Sequence, residues 1–468
     1  MDPAPTPHNP GAEPPSAEFY RQRRAAFAEE ERRLARVSFR FSVFRGALFL
    51  AFVACLVTIL VRAAVAEWEW WVAAAFFLGV FVLVLPAHER VIRRQRRAAD
   101  LQAVNDEALW RIAREWERLP LPSLVHPATE GALPRDLGLF GRASLFHLLG
   151  TAHTPPGKAA LAEWLVRPAP PEEIARRQEA VAELAPEVEL RQQVQVRARP
   201  MEKVPPDVET FLRWAAGEPW LLRRPWLIWT ARLMPLVTLG ALVLAAATDL
   251  PYWPSWPASL CITVNLVLSY AFRERMEEIF NQASAREREF RLYADAMEAV
   301  TGKAFAAPAL QRIAQELSPE GRPAHAWMDL LDRRLVLADA RHAALLHLPL
   351  QLLTLWDFHT LWLLERWQQA VGRRARGWLA ALGELEALCA LAGLRYDNPE
   401  WAFPAVAEGE NCFAARGLGH PLIPEPRRVT NDVEVGPPGT FLLVTGSNMS
   451  GKSTLLRAIG INTVLAQA

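Results

Sequence analysis

Apolar residues in this chain are gathered into runs rather than spread evenly. Residues 46–61 (GALFLAFVACLVTILV) and 70–87 (WWVAAAFFLGVFVLVLPA) contain no charge, and only the segment RAAVAEWE separates them. A bilayer-spanning helix needs about 17–25 mostly apolar residues, so each run is near the lower limit. Arg45 and Arg62 extend the first run by keeping their charged heads at the water boundary. Trp68, Trp70 and Trp71 suit an interfacial aromatic belt. The pattern predicts a transmembrane hairpin over 44–88. The same runs also describe an apolar hairpin buried in a soluble domain. A secretory signal peptide is disfavoured, because the first run begins too far from Met1.

A second pair of runs is weaker. Residues 233–248 (LMPLVTLGALVLAAAT) lie between Arg232 and Asp249, and residues 250–272 are uncharged. Prolines 251, 254 and 257 confine the helix of that second run to 258–272. Trp226, Trp229, Trp253 and Trp256 flank the pair, and a second transmembrane hairpin is expected over 225–272. Core helices are the competing reading. Arg40, Arg45 and the arginines at 90, 93, 94, 96 and 97 flank the first hairpin, and its loop carries Glu67 and Glu69. Arg223, Arg224, Arg273 and Arg275 flank the second, and its loop carries Asp249. The positive-inside rule then puts both loops outside, with both termini and all soluble parts in the cytoplasm of an inner-membrane, multi-pass protein.

Between and after the hairpins, residues 158–198, 273–317 and 323–394 are rich in Ala, Glu, Arg and Leu, with apolar positions three and four apart, which predicts helices. Trp356, Trp362 and Trp367 fall among leucines and read as core. From about Tyr396 the chain gains Pro and Gly, and FLLV at 441–444 predicts a buried strand. The expected fold class is mostly α, with two membrane hairpins, a helical core and the start of an α/β P-loop domain. The boundaries are 1–40 for an N-terminus that is disordered through 16 and then charged and helical, 44–88 for the first hairpin, 89–140 for linker helices, 141–224 and 273–395 for the two parts of the core, 225–272 for the second hairpin and 396–468 for the P-loop segment.

Composition adds little about partners. Hydrophobic residues make up 51% of 468, and the formal net charge is +1. Overall charge thus argues neither for nor against nucleic acid. Cys55, Cys261, Cys389 and Cys412 are scattered without CxxC spacing, so neither a disulfide framework nor a metal site is indicated. The dispersed histidines form no catalytic constellation, and His420 before Pro421 reads as a turn residue.

The chemistry is concentrated in FLLVTGSNMSGKSTLLRAIG. Gly446, Gly451, Lys452 and Ser453 satisfy G-x-x-x-x-G-K-[ST], with an apolar run before the loop and a helix-favouring run after it. Gly446, Ser447, Asn448, Met449, Ser450, Gly451, Lys452, Ser453 and Thr454 are the expected nucleotide-binding residues. Backbone N–H groups of such a loop point at phosphate oxygens, and the following helix adds its positive end. Lys452 would reach the β- and γ-phosphates of ATP, and the Ser453 hydroxyl would bind Mg²⁺. Few of the basic residues are lysines (Lys158, Lys203, Lys303 and Lys452), and one of them stands in this loop.

The loop TGSNMSGKST at 445–454 resembles that of the MutS family, which typically reads TGPNMGGKST. The Asn448–Met449 pair is the specific part. HPLI at 420–423 and ND at 431–432 look like the strand-rich entry to that family's ATPase domain. The stretch SLFHLLGTAHTPPGKAALAEWLVRPAPPEEIARRQEAVAEL at 144–184 is similar to the start of its helical core, with S-L-F-x-L-L, Thr-x-x-G, W-L-x-x-P and I-x-x-R-x-x-A-V elements. The resemblance implies an ATPase that dimerises through its ATPase domain and acts on duplex DNA in mismatch repair. Departures qualify this. The family's Phe-x-Glu wedge has no counterpart in its Gly-Asp-Phe-Tyr-Glu setting, so weak and non-specific DNA binding is expected. Arg428 and Val429 stand where the family places an aromatic that stacks on adenine. Walker B carboxylates do not occur within these residues, so the chain as given is expected to be a C-terminal truncation that does not turn over ATP, and its catalytic residues stay unassigned. Two other classes fit part of the pattern: an ABC-type transporter ATPase, and a membrane scaffold with a degenerate nucleotide site.

Overall fold

The charged N-terminal stretch and the first apolar run form one helix. A computed structural model describes residues 14–61, 68–123, 131–203, 208–247, 255–283, 289–318, 321–407, 409, 412–448 and 450–468. Residues 1–13, Arg62, Glu67, Asp249, Trp253 and Met449 lie outside the described residues. α1 (Pro15–Val61) is 47 residues long, or roughly 70 Å at 1.5 Å per residue. α2 (Trp68–Ala113) continues through Pro86. Linker helices were expected over 89–140, but 89–113 prolong α2, because neither Gly nor Pro interrupts them. Pro15 and Ser16, expected in a disordered tail, are helical instead, since α1 begins at Pro15.

α1 and α2 run antiparallel. Arg24 meets Asp106 at 3.3 Å, Gln95 donates to Glu31 at 2.9 Å, and Ser38 bonds His88 at 3.1 Å. The polar pairing ends where the apolar runs begin. There, buried His88 stacks on Phe41, and its Nδ1 lies 2.9 Å from an Arg45 Nη1. Beyond this knot the outward side chains are apolar: Leu50 is 68% exposed and Leu83 75%. Both helices are long and apolar enough to cross a membrane. This compact unit also contains residues 397–399 and 419–431. Tyr20 donates to Asp397 at 3.0 Å within it.

The second unit holds the remaining described residues. Its helices are α3 (Ala132–Leu137), α4 (Leu145–Leu148), α5 (Pro155–Val166), α6 (Pro171–Leu184), α7 (Val188–Ala198), α8 (Val208–Ala216), α9 (Pro225–Ala247), α10 (Ser255–Ala283), α11 (Glu289–Glu298), α12 (Pro308–Leu317), α13 (Ala324–Asp339), α14 (Ala344–Thr354), α15 (Trp356–Val371) and α16 (Ala375–Asp397). The apolar faces of α6 to α13, α15 and α16 enclose one core in which Trp214 and Trp367 stack at 6.1 Å and Trp367 is fully buried. Trp367 also donates to the Trp327 carbonyl at 2.8 Å.

The second hairpin is α9 and α10. Pro225–Leu244 is apolar and long enough to span a bilayer, whereas α10 is less apolar. Polar side chains interrupt α10 on its inner side. Buried Asn265 donates to Thr238 Oγ1 at 3.3 Å and to the Leu352 carbonyl at 2.7 Å, and Gln351 donates to Ser269 at 2.9 Å. These bonds tie α14 to the hairpin. α14 falls within 323–394, where a helix of the core was expected, and it packs against both α9 and α10. The most apolar part of Trp356–Asp397 is by contrast mostly buried and belongs to the core.

Two short strands, β1 (Phe413–Leu418) and β2 (Asn431–Val435), pair, and Gly417 N–H donates to Asp432 at 2.7 Å. The HPLI segment is a turn rather than a strand: Ile423 N–H donates to the His420 carbonyl at 3.1 Å. The buried strand expected at 441–444 is also not formed. Among the described residues it has no strand to pair with, and Phe441 is 84% and Leu443 73% exposed. The last helix, α17 (Lys452–Gln467), starts inside the phosphate-loop motif.

Candidate nucleotide site

The motif turns because two of its residues take conformations that side chains resist. Gly446 has φ +154° and Gly451 φ +84°, and Gly451 is the N-cap of α17. A Cβ on Gly446 would stand 2.8 Å from the Ser450 hydroxyl. The loop closes further through Ser450 N–H donating to the Ser447 carbonyl at 3.3 Å.

Lys452 bends back across the turn. Its ammonium donates to the carbonyls of Gly446 and Ser447, each at 2.6 Å. An ammonium carries three donors and no acceptor, so this charge rests on neutral carbonyls that an anion can outcompete. Gly446, Ser447, Ser450, Gly451 and Lys452 are therefore brought together. The side chains of Asn448, Ser453 and Thr454 are exposed. Met449 lies outside the described residues.

α17 is anchored to the helical core rather than to a sheet. It packs on α3, α5 and α6. Gly460 lies so close to Leu137 that a Cβ would collide with it. Ala169 N–H donates to the Gln467 carbonyl at 3.2 Å. The α5 end of this seat is itself latched. Thr154 caps α5 by accepting from Gly157 N–H at 3.0 Å, and its hydroxyl donates to the Glu386 carboxylate on α16. Glu386 also accepts from His153 N–H at 3.0 Å and Thr154 N–H at 3.3 Å. Gly157 leaves the space that this carboxylate fills. The Thr-x-x-G element is thus a cap and a close approach. Burial raises the Glu386 pKa, against the hydrogen bonds from Thr154 and His153 that lower it. Nothing near the Thr-x-x-G element in sequence announces Glu386, more than two hundred positions away.

His420 is the turn residue its sequence suggests; its Nδ1 accepts from Leu422 N–H at 3.3 Å. Arg428 is committed to the same turn, donating to the Ile423 carbonyl at 3.0 and 2.9 Å. Val429 is 78% exposed.

A family model for MutS domain III matches residues 129–392. DNA mismatch repair protein MutS 1 of Haloarcula marismortui is 41% identical over 87 residues, 18% of this chain and 9% of that protein. DNA mismatch repair protein MutS of Azorhizobium caulinodans is 41% identical over 99 residues, covering 19% and 10%. Endonuclease MutS2 of Bacillus velezensis is 32% identical over 77 residues, covering 16% and 10%. The matched stretches span about a tenth of these relatives' length. No solved structure matches.

Proposed function

The chain belongs to the MutS family, whose domain III it carries over residues 129–392, and from that premise we propose that it is a membrane-anchored ATP-binding protein in which nucleotide state moves the helical core. The observation that carries the reading is Lys452, held over a turn that Gly446 and Gly451 make possible, at the head of a helix seated on that core. The residues fit ATP–Mg²⁺. Gly446 and Gly451 supply the positive-φ positions of the loop, and among the described residues Lys452 donates only to carbonyls. Lys452 would hold the β- and γ-phosphates, Ser453 would hold the metal, and the loop backbone of 446–454 would line the phosphates. Bound ATP–Mg²⁺ supplies a phosphoanhydride and two strong charges. The displacement of Lys452 from its carbonyls is the local change that α17 passes to α3, α5 and α6.

The exposed apolar faces of α1, α2 and α9, with basic flanks and tryptophans, support insertion of both hairpins into the inner membrane, with the nucleotide loop and both termini in the cytoplasm. Association of two copies through their ATPase domains and contact with duplex DNA belong to the same proposal. Two of the relatives are named for DNA mismatch repair and one as an endonuclease; for this chain the proposed DNA contact is weak and independent of sequence.

The test is calorimetric titration of ATP–Mg²⁺ into the full-length protein and its Lys452→Ala variant. Binding by the wild type and its loss in the variant is the expected result, and equal affinities refute the proposal.

A further inference from the structure

Residues 343–356 (AALLHLPLQLLTLW), between Arg341 and Asp357, contain no Asp, Glu, Lys or Arg. An apolar run of about 10–14 residues is too short to span a bilayer and suits either a core helix or a re-entrant segment. Which of the two α14 is shows in the direction of its side chains. A core helix at a protein surface turns its polar side chains to water. α14 does the reverse. Leu348 is 59% exposed, and Pro349 and Leu353 are exposed as well. The polar side chains, His347 and Gln351 one turn on, are held by protein. His347 Nε2 lies 3.0 Å from the Asp357 carboxylate. Buried Gln351 donates to Ser269 on α10 at 2.9 Å and accepts from Asp357 N–H at 2.9 Å.

These bonds fix where α14 lies along the hairpin. The Leu352 carbonyl accepts at 2.7 Å from Asn265, in the middle of the uncharged run 258–272. Gln351 meets Ser269 one turn nearer the core end of α10. Arg341, just ahead of α14, stands over the Phe280 ring, 3.9 Å from its centroid and further still toward that end. α14 thus climbs along α10 from its core end to the middle of its apolar run. Its 11 residues reach about 16 Å at 1.5 Å per residue, roughly half of the ~30 Å hydrocarbon layer.

There the chain reverses. Leu355 is buried at φ +53°, and its N–H donates to the Gln351 carbonyl at 2.9 Å. α15 then returns, with His359 donating from Nε2 to the Ala231 carbonyl of α9 at 3.0 Å. Non-helical backbone at membrane depth is tolerated only where protein covers and satisfies it. The turn meets that condition, because the Gln351 side chain takes the Asp357 N–H that the reversal frees.

We propose that α14 is a re-entrant membrane element, inserted from the cytoplasmic side against α9 and α10, with Leu348 and Leu353 in contact with lipid acyl chains. The lipid occupant rests on the membrane reading of the second hairpin. It follows from continuity with α9, on which α14 packs and whose Leu236 and Leu239 are exposed in the same way. It follows also from the polar groups at this depth. Thr238, Asn265, Ser269 and Gln351 bond inward, to one another and to backbone, as side chains in a hydrocarbon-facing bundle must.

The test places single nitroxide labels in the full-length chain, with its native cysteines replaced by alanine, in phosphatidylcholine–phosphatidylglycerol vesicles. The positions are Leu348→Cys and Leu353→Cys on α14, Leu239→Cys on α9 and Gln315→Cys, exposed on α12. Power-saturation electron paramagnetic resonance compares collisions with oxygen, which enters lipid, and with a nickel chelate, which stays in water. The oxygen-to-nickel ratio at 348 and 353 is expected to match that at 239 and to exceed that at 315 several-fold. A ratio at 348 as low as that at 315, with 239 still high, overturns the re-entrant helix and leaves the anchor standing. Low ratios at both 348 and 239 overturn the membrane reading and this proposal with it. Few collisions with either reagent at 348 would show that protein, a second copy or a partner, covers the face, and also overturn it. Cys261 and Cys389 are buried, so the unaltered chain is tested in parallel, in vesicles doped with a phosphatidylcholine that carries an acyl-chain diazirine. Light-induced adducts are expected on 348–353 and on 236–239, and not on 308–317. Adducts on 236–239 without any on 348–353 overturn the proposal.

Discussion

The Arg114 guanidinium holds the Pro421 carbonyl across 307 positions of sequence, donating from Nε at 3.1 Å and from Nη2 at 2.8 Å. Arg114 is the first residue after α2 and takes φ +58°, a left-handed stop that closes the helix through Glu115 N–H to the Trp110 carbonyl at 2.8 Å. Its side chain is 8% exposed. Burial, and then the neighbouring Arg428, push its pKa down to about 10, while Asp397 pulls it the other way. The long hairpin and the turn at 419–428 are thus joined by one buried cation.

Arg114→Met keeps much of the side-chain volume and removes the donors. Hydrogen bonds to charged groups contribute about 1.5–3 kcal/mol, and the abandoned carbonyl adds a desolvation cost. The turn is therefore expected to lose about 3 kcal/mol of protection. Native-state hydrogen exchange at 419–428 reads this directly. Protection equal to wild type would show that other contacts hold the turn.

Glu386 gives the core a pH dependence of defined sign. Burial raises its pKa above the ordinary 4.5, so the native state keeps a proton that the unfolded chain releases. The stability this contributes is full below pH 4.5 and is lost as pH rises through the folded value. Glu386→Gln preserves an acceptor for His153 and Thr154 and removes the titration. The melting temperature of the variant is expected to rise relative to wild type as pH is raised from 4.5 toward neutrality. A difference that is flat in pH would exclude Glu386 as its source.

The legible parts of this molecule are those written in consecutive residues. The apolar runs at 46–61 and 70–87, the P-loop glycines and the Thr154 cap follow from local pattern, because helix periodicity and turn chemistry act within a few residues. The illegible parts depend on partners far away. Arg114 and Pro421, Thr154 and Glu386, and Asn265 and Leu352 are each brought together only by the complete helical topology. α14 reads as one more core helix until α9 and α10 are seen against it. The 441–444 run fails as a strand for the opposite reason. Its composition favours a strand, but a strand needs a neighbour to take its N–H and C=O groups.

Gly451 tests how far the loop depends on backbone freedom. A left-handed residue with a side chain costs roughly 1–2 kcal/mol, and here that cost falls on an exposed loop at φ +84° rather than on the core. Gly451→Ala is expected to lower ATP affinity by about tenfold, the equivalent of that strain, with little change in melting temperature. Calorimetry and differential scanning measure the two quantities. Unaltered affinity would mean that the loop does not need this conformation to bind phosphate.

For DNA, kinship and physical pattern diverge. Two of the three relatives are named for mismatch repair, and reading a mismatch requires side chains delivered to base edges. Ahead of the matched residues 129–392, the described chain runs as α1 and α2, whose outward faces are charged along one part and apolar along the other. Such helices offer guanidinium groups to phosphates but present no wedge to a base step. The net charge of +1 adds no strong attraction. Phosphate contacts alone give weak binding that falls steeply with salt and carries no sequence information. One good base contact discriminates by about 1–3 kcal/mol. The full-length protein in nanodiscs is therefore expected to prefer a mismatched duplex over a perfect one by less than about fivefold, below that range. Competition titrations at low and high salt measure the preference. A tenfold or greater preference that persists at high salt would place base-reading residues in this chain and refute the non-specific reading.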